Sequence, residues 1–334
     1  MSKSDRKPLL ADFISVNDLG GYAKYPLPRD ASFRRYIRLV GGDEELILMD
    51  APPPKEDVRS FVKVAAHLEK LGLSAPHVWA KDEKNGFLLL EDFGDNTFTK
   101  MLNYGTSEQQ LYEDAIDALI TLHNNPANSD IDLPPYDLET YQAEASLLTE
   151  WYLPEVDGAK WTAVGNQAYL KAWADIFAGL PVQVPTLVLR DYHVDNLMIL
   201  ASRTSPKNCG LLDFQDALIG APAYDIMSLL EDARRDINDK LRTKLLDRYL
   251  KGVKCQDRKG FMQWYTFLAA QRHAKIAGIF IRLFRRDRKN IYLKHIPRVI
   301  GLLARHLDNP ALGPLKAWFD EYLPNFKQVP NLSK

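Results

Sequence analysis

Three oxygen-bearing side chains stand close together in this sequence, at Asp191, Asn196 and Asp213. A carboxylate can accept a proton from a hydroxyl group, and carboxylate and amide oxygens are the ligands that Mg²⁺ prefers. Phosphoryl transfer from ATP uses such groups, because it needs a positioned hydroxyl and a cation that neutralises phosphate charge. We therefore expect Asp191 to be catalytic and Asn196 and Asp213 to bind Mg²⁺.

The spacing between Asp191 and Asn196 is informative because of what surrounds it. The same spacing also begins at Asp12 and at Asp320, where no such context exists. Only the pair at 191 lies between two apolar runs, and the second run leads through a polar turn into a strand that ends at Asp213. A hairpin of these two strands brings Asn196 and Asp213 to one metal site. The alternative is that all three residues cap turns, as Asp and Asn often do.

The elements that must position these residues follow from the hydrophobic periodicity. The first part of the chain predicts two strands, at residues 33–40 and 45–49, and then a helix at 55–71. Two further strands, at 78–81 and 87–90, are predicted to form a hairpin around Asn85-Gly86. From about residue 106 the pattern is mostly helical, with predicted helices near 107–124, 138–152, 163–179, 223–235, 238–251, 258–284, 291–306 and 311–323.

We place a boundary between two lobes near 92–95, which gives an N-terminal lobe at residues 1–93 and a C-terminal lobe at 94–334. The nucleotide is expected in the cleft between the lobes, where pockets tend to form. The C-terminal lobe carries the catalytic loop and the acceptor site in this interpretation.

Two motifs, at residues 190–196 (Arg-Asp-Tyr-His-Val-Asp-Asn) and 213–217 (Asp-Phe-Gln-Asp-Ala), resemble the aminoglycoside-phosphotransferase and choline-kinase-like superfamily. The strings at 30–36, 49–53 and 218–230 resemble a narrower group within it, the anomeric N-acetylmuramate/N-acetylglucosamine kinases. The resemblance implies an α+β, protein-kinase-like two-lobed fold, with a small β-rich N-lobe and a larger, mostly helical C-lobe.

The resemblance also implies roles for further residues. His193 and Asp225 are expected to support the catalytic loop. The N-lobe turn and the linker between the lobes are expected to bind the nucleotide, through Ala31, Ser32, Phe33, Arg34, Arg35, Met49, Glu91 and Phe93. An ordinary turn and an acidic linker without a ligand are the alternatives for these segments.

One departure from the protein-kinase pattern lies at the end of the third strand. Protein kinases place a Lys there, on the phosphates, whereas the string here is Leu46-Ile-Leu-Met49. Arg34 and Arg35, on the two faces of the preceding strand, are the candidate replacements. The missing Lys keeps open the hypothesis of a catalytically silent, nucleotide-binding regulator.

The acceptor site is less clearly marked in the sequence. Asp216, Trp151 and Arg272 are candidates for contacting the substrate, since carboxylates, aromatic rings and guanidinium groups bind sugars and anions. Asp216 as a helix cap and Trp151 as a core residue are the alternatives. The basic segment from Arg272 to Arg298 has two further interpretations, a solvated helical face and a nucleic-acid surface.

Composition bounds the class of protein. Lys and Arg number 43 against 44 Asp and Glu, so we expect neither nucleic acid nor membrane as a partner, and no obligate protein partner is inferred. The two cysteines form no metal or redox motif, and the N-terminus lacks a secretory pattern, so a cytoplasmic location is expected.

Together these features predict an ATP- and Mg²⁺-dependent kinase for a small-molecule acceptor. The resemblance favours the anomeric hydroxyl of N-acetylmuramate or N-acetylglucosamine, in cell-wall recycling. Phosphorylation of an aminoglycoside or an amino alcohol is the first alternative, and the silent regulator is the second.

Overall fold

The chain folds into two units, each assembled from segments that are distant in sequence. In this computed structural model, which describes residues 3–28, 33–42, 45–328 and 330, one unit joins residues 1–132 to 194–217. The other joins residues 133–193 to 218–334. The lobe boundary near residue 93 stays a prediction.

The elements combine a small amount of strand with many helices, as the sequence predicts. The strands are β1 (Ala23–Pro26), β2 (Arg35–Val40), β3 (Leu46–Asp50), β4 (Val78–Asp82), β5 (Phe87–Glu91), β6 (Thr186–Val188), β7 (Leu197–Ile199), β8 (Cys209–Leu211) and β9 (Leu218–Gly220). The α-helices are α1 (Lys3–Val16), α2 (Val58–Lys70), α3 (Phe98–Asn103), α4 (Glu108–Asn124), α5 (Leu138–Leu147), α6 (Ala163–Ala178), α7 (Ala223–Leu230), α8 (Asp239–Gly252), α9 (Arg258–Asp287), α10 (Ile296–Leu307) and α11 (Gly313–Tyr322). Short 3₁₀ or π-helical segments lie at Leu148–Tyr152, Leu153–Glu155, Val194–Asn196, Asn290–His295 and Pro310–Leu312.

The first unit is built on an antiparallel sheet in the order β1-β2-β3-β5-β4. Its central strand β3 is buried along its whole length, so alternate residues pack on opposite faces. On one face, Leu48 and Phe87 pack against Phe13 and Ile14 of α1. Helix α1 is absent from the predictions because Pro8 inside it signals against a helix, and packing on the sheet overrides that preference.

The hairpin predicted around Asn85-Gly86 is confirmed, since β4 and β5 flank it as antiparallel partners. Gly86 has φ +73°, a left-handed conformation that favours glycine. A Cβ atom at this position would lie 2.0 Å from the backbone oxygen of Ala51. Conformation and space therefore both require glycine here.

Helix α2 starts later than predicted, at Val58 rather than Lys55. The Asp57 side chain accepts a hydrogen bond from the Arg59 backbone N–H at 3.0 Å, which caps the first turn. Glu56 consequently lies outside the helix, in the segment that leads into it.

The predicted hairpin between the two strands after Asn196 is also confirmed. β7 and β8 pair antiparallel, with Leu197 opposite Leu211. The Leu212 N–H extends this ladder by donating to the Asn196 backbone oxygen at 2.9 Å. The residues just outside the two strand ends, Asn196 and Asp213, are thereby brought to the same end of the hairpin.

The second unit is organised around α9, a 30-residue helix that packs against α5, α7 and α10. A short ladder of β6 and β9 lies in the same unit, and β9 is absent from the predictions.

The helix predicted at 223–235 is wrong beyond Leu230. The chain leaves the helix at Glu231, whose buried carboxylate accepts hydrogen bonds from Tyr265 and His306 instead of facing solvent.

None of the helices in the described part of the chain combines the length and the apolar character that crossing a membrane requires.

Acid is expected to destabilise the protein through His273 on α9. Its ring is 0% exposed, and its Nε2 atom lies 3.3 Å from the backbone oxygen of Glu231. Burial lowers the pKa of His273 from 6.5 to about 4. The unfolded chain binds the proton at a higher pH than the folded one, so the free energy of unfolding should decrease as the pH falls from 6.5 to about 4. The contribution of His273 alone to this decrease should be about 3 kcal/mol, at about 1.4 kcal/mol per pKa unit.

Chemical denaturation across this pH range measures the effect. His273→Gln should flatten the slope, whereas His77→Gln, which removes an exposed histidine, should leave it as in the wild type. An unchanged slope in His273→Gln would show that other groups cause the acid sensitivity.

Candidate active site

The first unit contains a cavity of about 330 Å³ between the inner face of the sheet and the β7–β8 hairpin. Residues of β3 contribute to its apolar wall, whereas the linker after β5 brings Asp92 and Asp95 as well as Phe93, and the ends of the hairpin add further polar groups. A largely apolar cavity with a few convergent polar groups is typical of small-molecule sites. Five of the residues predicted to bind nucleotide or metal line it, namely Met49, Glu91, Phe93, Asn196 and Asp213.

The residues present fit a magnesium ion. Asn196 ends a single turn of 3₁₀ helix, and Asp213 follows β8 with φ +58°. Both side chains line the same cavity and offer amide and carboxylate oxygens, which suit a hard cation. Gln215 donates to Asp213 Oδ1 at 3.1 Å, which helps to orient the carboxylate. Their role as metal ligands remains a prediction.

Arg34 contacts the predicted metal ligand directly. Its Nη2 donates to Asp213 Oδ1 at 2.8 Å, and its Nε lies 3.8 Å from Glu56 Oε2. The side chain is 10% exposed. Although burial opposes the charge, Tyr36, Asp213 and Glu56 raise the pKa of Arg34 above its ordinary value. A permanent cation therefore lies beside the Asp213 carboxylate.

Arg35 has different partners, although it is adjacent in sequence. It forms an ion pair with Asp50 at the end of β3, and Asp50 also accepts from Arg6 Nε at 2.9 Å. These three residues line another cavity, of about 290 Å³. Successive side chains of an extended strand point to opposite faces, which explains the separation of the two arginines. The structure does not bring Arg35 to the cavity that contains Asp213.

The remaining turn residues are only partly defined. Ala31 and Ser32 lie outside the described residues. The Phe33 ring is exposed and lies under the Lys55 ammonium group, 4.2 Å from it. The Phe33 backbone N–H donates to Glu56 Oε1 at 3.0 Å, which fixes the start of β2 against the segment before α2.

The linker after β5 is held by two arginines that the sequence analysis missed. Arg203 forms an ion pair with Glu91 and lies 5.4 Å from the centre of the Phe93 ring. Arg38, which lines the cavity, forms ion pairs with Asp92 and Asp95. The acidic run after β5 was the available signal, because a half-buried acidic cluster needs cations nearby.

In the second unit, the loop that carries Asp191 is fixed by the buried Asp225. The Asp225 carboxylate accepts the backbone N–H groups of Leu189 at 2.7 Å and Arg190 at 2.9 Å. Arg190 has φ +70°, which is uncommon outside glycine, so these bonds hold a strained backbone. The loop therefore presents Asp191 in a defined orientation, and the supporting role predicted for Asp225 remains a prediction.

Asp191 is 43% exposed and lies beside Arg272, whose Nη2 is 3.4 Å from its Oδ1. Arg272 also donates to the backbone oxygen of Arg190 at 3.0 Å and to the Tyr224 hydroxyl at 3.1 Å. Although partial burial opposes ionisation, Arg272 and Lys275 hold the pKa of Asp191 well below its usual range. Asp191 is thus an ionised hydrogen-bond acceptor at neutral pH, and a weak base.

A second charged cluster lies in the same unit and was also missed. Glu144 on α5 forms ion pairs with Arg190 and with Lys275, the latter at 2.7 Å. Gln271 donates to the other carboxylate oxygen at 3.0 Å. Arg272, considered for the substrate, and its neighbour Lys275 therefore both contact groups of the protein. The substrate role of Arg272 stays a prediction.

The other predicted residues are spread over both units. His193 is buried, and burial lowers its pKa, so the ring is neutral and suits a structural position. Asp216 is exposed and lies 3.2 Å from the Gln215 amide nitrogen. Trp151 lies in a single π-helical turn that packs against α9. No contact in the described structure tests a substrate role for Asp216 or Trp151.

Comparisons with known proteins agree with these features. Residues 25–265 match the model of the phosphotransferase enzyme family. An N-acetylmuramate/N-acetylglucosamine kinase of Caulobacter vibrioides is 35% identical, covering 96% of this chain and 98% of that one. The kinase of the same name from Pseudomonas aeruginosa is 38% identical, covering 87% of each chain.

The fold is likewise that of known phosphotransferases. The GDP complex of aminoglycoside 2'-phosphotransferase-IIIa superposes with a TM-score of 0.61 at 14% identity, covering 91% of this chain and 99% of that one. The predicted α+β, protein-kinase-like fold is confirmed. The chain belongs to the phosphotransferase enzyme family, within the group that includes the N-acetylmuramate/N-acetylglucosamine kinases.

Proposed function

We propose that this protein transfers the γ-phosphate of ATP to the anomeric hydroxyl of N-acetylmuramate or N-acetylglucosamine, as a step of cell-wall recycling. The observation that carries the proposal is the presentation of Asn196 and Asp213 by one hairpin to a cavity that Met49 and Glu91 also line. Relatives that share 35% and 38% of their residues with this chain bear the name of that activity.

Each residue then has a chemical task. In the transfer, the acceptor oxygen forms a bond to the γ-phosphorus while the bond from that phosphorus to the β–γ bridging oxygen breaks, and the hydroxyl proton passes to Asp191. Asn196 and Asp213 would hold Mg²⁺, which supplies positive charge against the phosphate oxygens. Asp225 keeps the backbone before Asp191 in place.

The low pKa of Asp191 defines the kind of catalysis that we propose. A carboxylate stabilised by Arg272 accepts a proton poorly in the ground state, and its main task is to orient the hydroxyl. A loose phosphoryl-transfer transition state makes a strong base unnecessary, because the hydroxyl loses its proton late.

We also propose a cytoplasmic location, because the reaction uses ATP.

The direct test is a phosphate-transfer assay with ATP and Mg²⁺ on a panel of acceptors. We expect N-acetylmuramate and N-acetylglucosamine to be phosphorylated at C1, as product NMR would show, and kanamycin and choline to remain unchanged. Phosphorylation of kanamycin or choline alone would replace the proposed acceptor. Nucleotide binding without transfer to any acceptor would favour a regulator instead.

A further inference from the structure

The end of β3 cannot supply the cation that protein kinases place there. Met49 and Asp50 occupy this position, and Asp50 is 2% exposed. Both Arg6 and Arg35 pair with Asp50, and these three residues line the other cavity, not the one that Asn196 and Asp213 line. A residue elsewhere in the unit must therefore neutralise the phosphates of a bound nucleotide.

Arg34 meets the requirements of that residue. It precedes β2, is largely buried, and donates to the carboxylate of Asp213, which lines the cavity. A guanidinium group has several N–H donors in a fixed fork, so it can keep one carboxylate partner and still bind phosphate oxygens.

Glu56 is a second acidic neighbour of Arg34, in addition to Asp213. Its Oε2 lies 3.8 Å from Arg34 Nε, and its Oε1 accepts the Phe33 N–H, so it is held on both sides. Glu69, the other glutamate near an end of α2, hydrogen-bonds to His77 at 3.0 Å instead. Its position and contacts therefore make Glu56, rather than Glu69, the candidate that positions Arg34. Glu56 lies before the first residue of α2.

We propose that Arg34 and Glu56 together replace the strand Lys and helix Glu of protein kinases, with Arg34 binding the β- and γ-phosphate oxygens of ATP and Glu56 positioning its guanidinium group. This inference rests on the proposed function in one respect, that the first-unit cavity binds ATP. It does not depend on the acceptor. The pairing differs from the kinase pair because the cation comes from the residue just before β2, and because it also contacts the predicted metal ligand Asp213.

Nucleotide binding measured by calorimetry tests the proposal without any acceptor. Arg34→Gln should weaken MgATP binding about 10- to 100-fold, the loss expected for one or two charge-assisted hydrogen bonds. Adenosine, which lacks phosphates, should bind Arg34→Gln as tightly as the wild type. Arg34→Lys should recover part of the MgATP affinity, and Glu56→Gln should lower it less than Arg34→Gln does.

Arg59→Gln is the matched control. Arg59 lies at the start of α2 and pairs with Asp57 at the surface, so its loss should change neither affinity. A thermal melt of each variant verifies the fold. If Arg34→Gln fails to fold, Arg34→Lys and Glu56→Gln still separate the outcomes, because both retain a polar side chain of similar size.

Two results would overturn the proposal: MgATP affinity unchanged in Arg34→Gln, or equal losses for MgATP and adenosine, which indicate a structural ion pair only. A wild-type protein that binds no MgATP would overturn this inference together with the proposed function. If Arg34 controls MgATP affinity but no amino sugar is phosphorylated, the proposed acceptor alone is wrong.

Discussion

Asp191→Asn is expected to lower kcat by about 10²–10⁴-fold, the range typical of a positioned proton acceptor. The amide has nearly the same shape, but it carries no charge and cannot take the hydroxyl proton. Affinity for MgATP should be nearly unchanged, because Asp191 is not among the residues predicted to bind the metal or the nucleotide. Steady-state kinetics with N-acetylglucosamine, together with calorimetry for MgATP, would measure the two effects.

Asp320→Asn provides a matched control for that substitution. Asp320 stands in the same spacing from an asparagine, at Asn325, but it is exposed and pairs with Lys316 on α11. It should retain wild-type turnover. A loss of less than tenfold in Asp191→Asn would remove Asp191 from the catalytic role.

Asp213→Asn should have its largest effect on magnesium-nucleotide binding. Replacing a carboxylate ligand by an amide removes the negative charge that attracts the cation. We therefore expect MgATP affinity to fall about 10- to 100-fold. It also removes the charged partner of Arg34, so the guanidinium group loses its 2.8 Å contact with a carboxylate. Adenosine affinity measured without Mg²⁺ should stay at the wild-type value.

Titration of nucleotide affinity against Mg²⁺ concentration separates metal binding from nucleotide binding. Asp213→Asn should require more Mg²⁺ to reach half-maximal affinity, whereas Asp12→Asn should not, because Asp12 is an exposed residue of α1. Mild and equal effects of Asp191→Asn and Asp213→Asn on turnover and on MgATP affinity would contradict the division of roles between them.

Local chemistry explains why much of the first unit was predictable. The turn at Asn85-Gly86 depends on a left-handed glycine, and the β7–β8 hairpin depends on two apolar strands around a polar turn. These are preferences of a few neighbouring residues, so they are readable without knowing the rest of the fold. Helix boundaries were less accurate, as the late start of α2 and the early end of α7 show.

Long-range partners were not predictable in the same way. Arg34 and Arg35 are adjacent and chemically identical, yet one pairs with Asp213 and the other with Asp50. Arg272, considered for the substrate, lies beside Asp191, which is 81 residues away in the chain. Each pairing depends on which strand face or helix face meets which neighbour, and periodicity does not contain that information.

The sequence by itself determined the candidate chemistry, through the types and spacing of Asp191, Asn196 and Asp213, and the local hairpin that presents the last two. Only the tertiary structure decided which cation accompanies them, because Arg34 and Asp213 lie 179 residues apart in the chain. The physical reason is the sequence distance over which each effect operates. Backbone sterics and hydrophobic periodicity depend on a few neighbouring residues. Charge pairing between distant segments exists only after the sheet and the hairpin have packed together.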